Sequence, residues 1–151
     1  MWLNKVTKDL MQIPNFLDYY EKELMVARTE LDIRGNIEQV SSRLPGIIEY
    51  RFNQLQEIEG VLEYLNIQLR KTKHKHYIKF LEGYARALTS RDAERYADAE
   101  TEVIDLEIIN NEVALLRNKW QGIIKAIENK SYMIGHVVKL RTAGMEDVVI
   151  S

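Results

Sequence analysis

From Leu106 onward the chain repeats an apolar side chain every seven residues, at Leu106, Val113, Trp120, Ile127 and Ile134. A companion row three residues further on holds Ile109, Leu116, Ile123, Lys130 and Val137, and only Lys130 breaks the apolar pattern. Sustained over more than four heptads, such a period demands one long helix with a continuous seam along one side. Ile108, Leu115, Ile124 and Val138 widen the stripe, so more than one neighbour is expected to pack on it. Two occupants compete for that seam. One is the chain's own helix over residues 46–82; the other is a second copy of the chain. The seam is longer than the clean repeat of the 46–82 helix, which favours self-assembly through Leu106, Ile109, Val113, Leu116, Trp120, Ile123, Ile127, Ile134 and Val137.

The rest of the chain is also helical in pattern. Leu55, Ile58, Leu62, Leu65 and Leu69 alternate spacings of three and four, one face of a long helix whose first turn is expected at Pro45. Pro14 separates a short amphipathic start from a helix over "NFLDYYEKELMVARTELDI", which ends near Gly35. Residues 36–44 read as a brief helical or irregular link. Gly83 and "LTSRD" mark a break, with Ser90 as the N-cap of the next helix. With two prolines and seven glycines in 151 residues, little chain is available for the turns of a many-stranded sheet. The expected fold is all-α: a long-helix hairpin or bundle with a C-terminal coiled-coil-like oligomerisation helix. It divides into residues 1–90, carrying a basic stretch, 91–144, carrying the seam, and a 145–151 tail.

Several chemistries are excluded by what the sequence lacks. There is no cysteine, hence no disulfide, thiolate nucleophile or cysteine-ligated metal. No Gly-rich phosphate loop, Glu-x-x-His or His-Glu-x-x-His occurs. "HKH" at 74–76 and the distant His136 are a poor zinc set without cysteine. Asp105, Glu107 and Glu112 read as solvated helix-face carboxylates. No catalytic residue, metal or cofactor is therefore expected. No apolar run approaches the ~18 residues of a membrane span, and the charged start is unlike a signal peptide, so a cytoplasmic protein is expected.

One window stands apart in charge. Net charge is −2, yet Tyr64 to Leu81 carries +5 and no Asp or Glu, leaving −7 for the rest. Such asymmetry points to a local anionic partner. On a helix, Lys71, Lys75 and Lys79 form one row at intervals of four. Arg70, Lys73, Tyr77, Phe80 and Tyr84 form an adjacent row. Cations beside rings suit a single nucleic-acid strand, whose phosphates take the charges and whose unpaired bases take the rings. A solvated lysine face with core aromatics accounts for the same spacing, and an acidic protein or membrane partner is a further alternative.

Three segments carry a resemblance over roughly residues 30 to 144. They are "IEQVSSRLPGIIEYRF", Lys71-Thr72-Lys73 followed by Tyr77, and "GIIKAIENKSYMIGHVVKLRTAG". Together they resemble the UvsY-type recombination mediators of large tailed phages. His76 stands where that family has the first tyrosine of a pair, and no glycine follows at Ile78 or Lys79. The start of the chain lies outside the resemblance, as an extension. The resemblance implies a non-enzymatic accessory protein forming ring-like homo-oligomers larger than a dimer. It implies binding to single-stranded DNA and contacts with the single-strand-binding protein and a RecA-like recombinase, which the mediator helps to load. The DNA role would fall on Lys71, Lys73 and Tyr77, joined on helix geometry by Arg70, Lys75, Lys79 and Phe80. A phage origin would place it in the host cytoplasm. The competing class is a helical protein–protein adaptor or small phage structural subunit.

Overall fold

A computed structural model describes residues 1–83 and 87–144. Among the described residues there is no strand, and the helices are α1 (Trp2–Lys8), α2 (Ile13–Thr29), α3 (Ile37–Gly83), α4 (Ser90–Asp98) and α5 (Thr101–Thr142). A 3-10 turn, Leu10–Gln12, joins α1 to α2. The all-α expectation holds, with two long helices packed on each other. At 1.5 Å per residue, α3 and α5 extend ~70 and ~63 Å. They run antiparallel, because α5 partners fall in number as α3 partners rise. Leu44 and Ile134 line one groove, Asn110 donates to Asn66, and Lys73 and His76 reach Glu107 and Glu102.

Two helix starts differ from the sequence reading. α3 begins at Ile37, eight residues before Pro45, because the Asn36 side chain caps it. Asn36 Oδ1 accepts from the backbone N–H of Glu38 at 2.9 Å and of Gln39 at 3.4 Å. Pro45 therefore lies inside the helix, where its missing N–H removes the bond to the Ser41 carbonyl. Ser41 and Pro45 are both exposed, so water reaches that carbonyl, while Leu44, Ile47 and Ile48 hold the neighbouring turns to the core. At α4 the cap is Thr89 rather than Ser90: its hydroxyl accepts from Asp92 N–H at 3.2 Å. α2 stops at Thr29, short of the expected end, and Gly35 takes the left-handed φ of 81° that turns the chain into α3.

The core is one cluster drawn from both sides of the 90/91 boundary. Phe16, Tyr20 and Leu24 of α2 and Leu55, Ile58, Leu62 and Leu65 of α3 meet Val113, Leu116, Trp120, Ile123 and Ile127 of α5. Trp120, fully buried, receives Tyr20 edge-on at 5.8 Å between ring centroids. The start of the chain is no loose extension. Trp2 and Val6 are buried, and Glu57 of α3 accepts from Trp2 N–H, the Met1 amine and the Tyr20 hydroxyl. Burial pushes the Glu57 carboxyl up, but these donors outweigh it and hold the group below the ordinary range.

The seam of α5 thus has its occupant within one chain. Val113, Leu116, Trp120, Ile123, Ile127, Ile134 and Val137 are buried, and Leu106 and Ile109 are half-buried. α2 and α3 are the neighbours that the broad stripe required. Lys130, the one polar member, is also buried, and its ammonium donates to the Glu30 carbonyl at 2.6 Å. Glu30 caps α2, where helix carbonyls lack an intrahelical partner, so a lysine serves at that point of the seam.

Arg51 is the charged centre of this packing. Its side chain is 3% exposed and forks onto both oxygens of Glu30. Nη1 donates to Glu23 at 2.9 Å and to Gln54 at 2.8 Å, and the guanidinium lies 5.9 Å from the Trp120 ring centroid. Removing one partner of such a pair strands the others. Arg51→Leu is expected to lower stability by about 3 kcal/mol, the lower end for a buried pair because both glutamates keep some solvent contact. Urea denaturation monitored by circular dichroism measures it. A change below about 1 kcal/mol would put the network in the class of solvent-screened surface pairs.

Candidate functional site

The basic stretch is helical throughout its length, forming the last quarter of α3. One residue per 100° sets the order around the helix: Phe80, Lys73, Tyr77, Arg70, His74, Lys71, Lys75, Lys79. The His76 side faces inward and is buried. Arg70, Lys71, Lys75 and Lys79 are exposed, as is His74. These four cations form a band about half the helix circumference wide, open to a ligand.

The other three candidates have internal partners that the sequence did not reveal. Lys73 is half-buried between α4 and α5, 3.7 Å from Asp98 and 3.1 Å from Glu107. The hydrogen bond to Glu107, followed by the nearby Asp98 charge, raises its pKa, so it stays a cation committed to carboxylates. Phe80 packs on Tyr96 of α4, with ring centroids 5.5 Å apart, and helps to dock that helix. Tyr77 is half-buried and stacks on His74 at 6.3 Å and 26°. Tyr84, the last member of the expected aromatic row, lies outside the described residues.

Tyr77 and His74 form one wall of a cleft of about 470 Å³, completed by Lys73, Glu94, Ala97 and Asp98. Two carboxylates in its lining make it hostile to phosphate, whereas its rings offer a flat apolar surface. Phosphate and base requirements therefore separate around the helix: charges on the Lys71–Lys75–Lys79 side, rings on the cleft side.

His76 and the acidic start of α5 were missed by the sequence reading. His76 Nε2 lies 2.9 Å from Glu102 Oε2, joining α3 to the first turn of α5. With Glu94, Asp98 and Glu107, this carboxylate belongs to an acidic wall facing the basic stretch. The available signal was the charge balance: −7 outside a +5 window, with the acids concentrated just after the break at Gly83. Among the described residues, no three His, Cys, Asp or Glu side chains cluster to hold a metal ion. No described helix is long and apolar enough to cross a membrane.

The hydrogen bond from His76 holds the Glu102 carboxyl below the ordinary glutamate range, with Lys75 adding to the effect. The folded state thus favours the charged form. Its contribution to stability is present above the ordinary value of ~4.3 and is lost as pH falls through the lowered one. In His76→Phe, the Glu102 titration followed by carboxyl NMR is expected to move up toward that ordinary value. An unmoved titration would mean that His76 is not the cause.

Comparison with family models, with curated proteins and with solved structures finds no match to this chain.

Proposed function

We propose that the chain is a non-enzymatic accessory protein whose α3 tip binds single-stranded nucleic acid, in the manner of a recombination mediator. The observation that supports this most is the exposed band of Arg70, Lys71, Lys75 and Lys79, bordered by the Tyr77–His74 stack at a cleft. Four phosphate contacts on a rigid helix, with rings to one side, match the needs of an unpaired strand. Duplex readout instead favours arginine and amide side chains reaching base edges in a groove, and these are sparse in the band, where Arg70 is the one arginine. Under this reading the protein takes single-stranded DNA, a single-strand-binding protein and a RecA-like recombinase as partners. The role is to load the recombinase on covered strands, without nucleotide hydrolysis of its own.

A few phosphate contacts per chain bind weakly at physiological salt, so such a role gains from several copies acting on one strand. Since the α5 seam is covered within the chain, self-association in this reading uses another face.

A protein–protein adaptor is the second reading, and a specific observation favours it. Lys73 already meets Asp98 and Glu107, so part of the basic window balances charge inside the fold.

The structure changes which substitutions separate the two. Lys71→Ala, Lys75→Ala and Lys79→Ala are each expected to lower the log–log salt slope of single-strand binding by ~0.7, one released phosphate contact apiece. Lys73→Ala is expected to change that slope less, because its charge faces carboxylates. Tyr77→Ala should weaken binding by roughly 1–3 kcal/mol per stacked base while leaving the slope in place. Fluorescence anisotropy of a labelled oligonucleotide across a salt series measures all of these. If the triple lysine variant binds as the unmodified chain does, the band is a solvated face and the adaptor reading stands.

A further inference from the structure

The cleft between α3 and α4 carries more chemistry than the docking of α4 uses. Its floor is Ala97, 2% exposed, whose small side chain leaves the two helices room to stand apart. Lys73 and Asp98 meet across it at 3.7 Å. One turn further along α3 is Tyr77, and one turn earlier on α4, which folds back along α3, is Glu94. Lys73 and Asp98 are engaged with each other, and Lys73 also with Glu107. Glu94 is exposed and has no hydrogen-bond or ion-pair partner among the described residues. An ammonium has three N–H donors, so Lys73 keeps one beyond its two carboxylates. The cleft therefore combines an unengaged carboxylate, a spare cationic donor and the Tyr77–His74 rings within about 470 Å³.

Those three features match the edge of one base in a nucleic-acid strand. Guanine carries N1–H and N2–H2 side by side, two donors that a single carboxylate accepts together, with the O6 acceptor next to them. Cytosine and adenine each present one amino group with a ring-nitrogen acceptor beside it. Thymine and uracil present two carbonyl oxygens around one N–H, and a carboxylate repels those oxygens. The lining that keeps phosphate out thus suits a neutral base with two donors. An arginine side chain from another protein would also meet rings and carboxylates. It would have to lie beside Lys73 in the cleft, with Arg70, Lys71, Lys75 and Lys79 nearby, and like charges oppose that approach. A strand brings phosphates to the same band and is attracted by it.

We propose that the cleft between α3 and α4 is a base-specific subsite that takes guanine from a single-stranded nucleic acid. The base lies against the Tyr77–His74 wall, its N1–H and N2–H2 donate to the Glu94 carboxylate, and its O6 accepts from the Lys73 ammonium. The phosphates of the same strand cross His74 onto Lys71 and Lys75, which follow His74 around the helix. The inference rests on nucleic-acid binding by the α3 tip. It adds a base preference, which a row of lysines facing phosphates does not supply.

Fluorescence anisotropy of the full chain with a short labelled thymidine oligonucleotide, its central base varied, tests the preference. The strand with one guanine is expected to bind roughly tenfold more tightly than the all-thymine strand. Inosine stacks as guanine does but lacks N2–H2, so it should lose most of that gain. Glu94→Gln keeps the size of the side chain and removes the second acceptor oxygen. Because Glu94 is exposed, the variant should keep its helical circular dichroism, while its guanine-to-thymine affinity ratio falls toward one. Strands that bind equally whatever the central base overturn the proposal and leave the cationic band as a non-specific site. A guanine preference that survives in Glu94→Gln overturns it too. So does an arginine-rich peptide that needs Glu94 for binding when guanine does not, which would assign the cleft to a protein partner. Failure of every oligonucleotide to bind at low salt removes nucleic-acid binding itself, and the subsite with it.

Discussion

The guanidinium of Arg51 is the point at which three helices become one body. It forks onto Glu30 at the end of α2, reaches Glu23 two turns earlier on the same face, and lies near Trp120 of α5. Glu30 is held twice, through its carboxylate by α3 and through its carbonyl by Lys130 of α5. A charge at that depth is tolerated only with its partners in place. The junction therefore fixes the azimuth of α2 on the α3–α5 hairpin, which apolar contact alone leaves free to slide. The register of the hairpin, set by the packing of α3 on α5, decides in turn how the α3 tip pairs with the start of α5.

That pairing divides the basic window. In an antiparallel hairpin the last turns of α3 must face the first turns of α5, and here the two carry opposite charge. His76 and Lys73 fall on the inner arc and meet Glu102, Glu107 and Asp98; Arg70, Lys71, Lys75 and Lys79 fall on the outer arc and keep their charge available. The inner pairs help dock α4 and α5, while the outer four create the local positive field. A run that reads as one site in sequence is thus two structures back to back.

α5 has a comparable division. Its inner row closes the hairpin around Trp120, and its outer row of Ile104, Ile108, Leu115, Met133 and Leu140 faces solvent. Four of the five acids of α5, Glu102, Asp105, Glu107 and Glu112, lie in its first half, the part beside the α3 tip.

The helical class and many of the core residues of α3 and α5 were legible in the sequence alone. Heptad and three-four spacings depend only on backbone geometry, so Leu55, Ile58, Leu62 and Leu65 and the row from Val113 to Val137 are legible as buried without knowing their neighbours. Local caps are harder to place, because Asn36 and Thr89 compete with Pro45 and Ser90 and only the folded backbone decides among them. Tertiary structure alone decided who covers what. A seam has the same pattern whether its partner is the same chain or another, and a cation has the same period whether it faces a carboxylate or water. The reach of Lys130 to Glu30, of Arg51 to Glu23 and of Lys73 to Glu107 spans 100, 28 and 34 residues of chain. No local periodicity encodes separations of that length; they follow from the antiparallel register, which is set by packing.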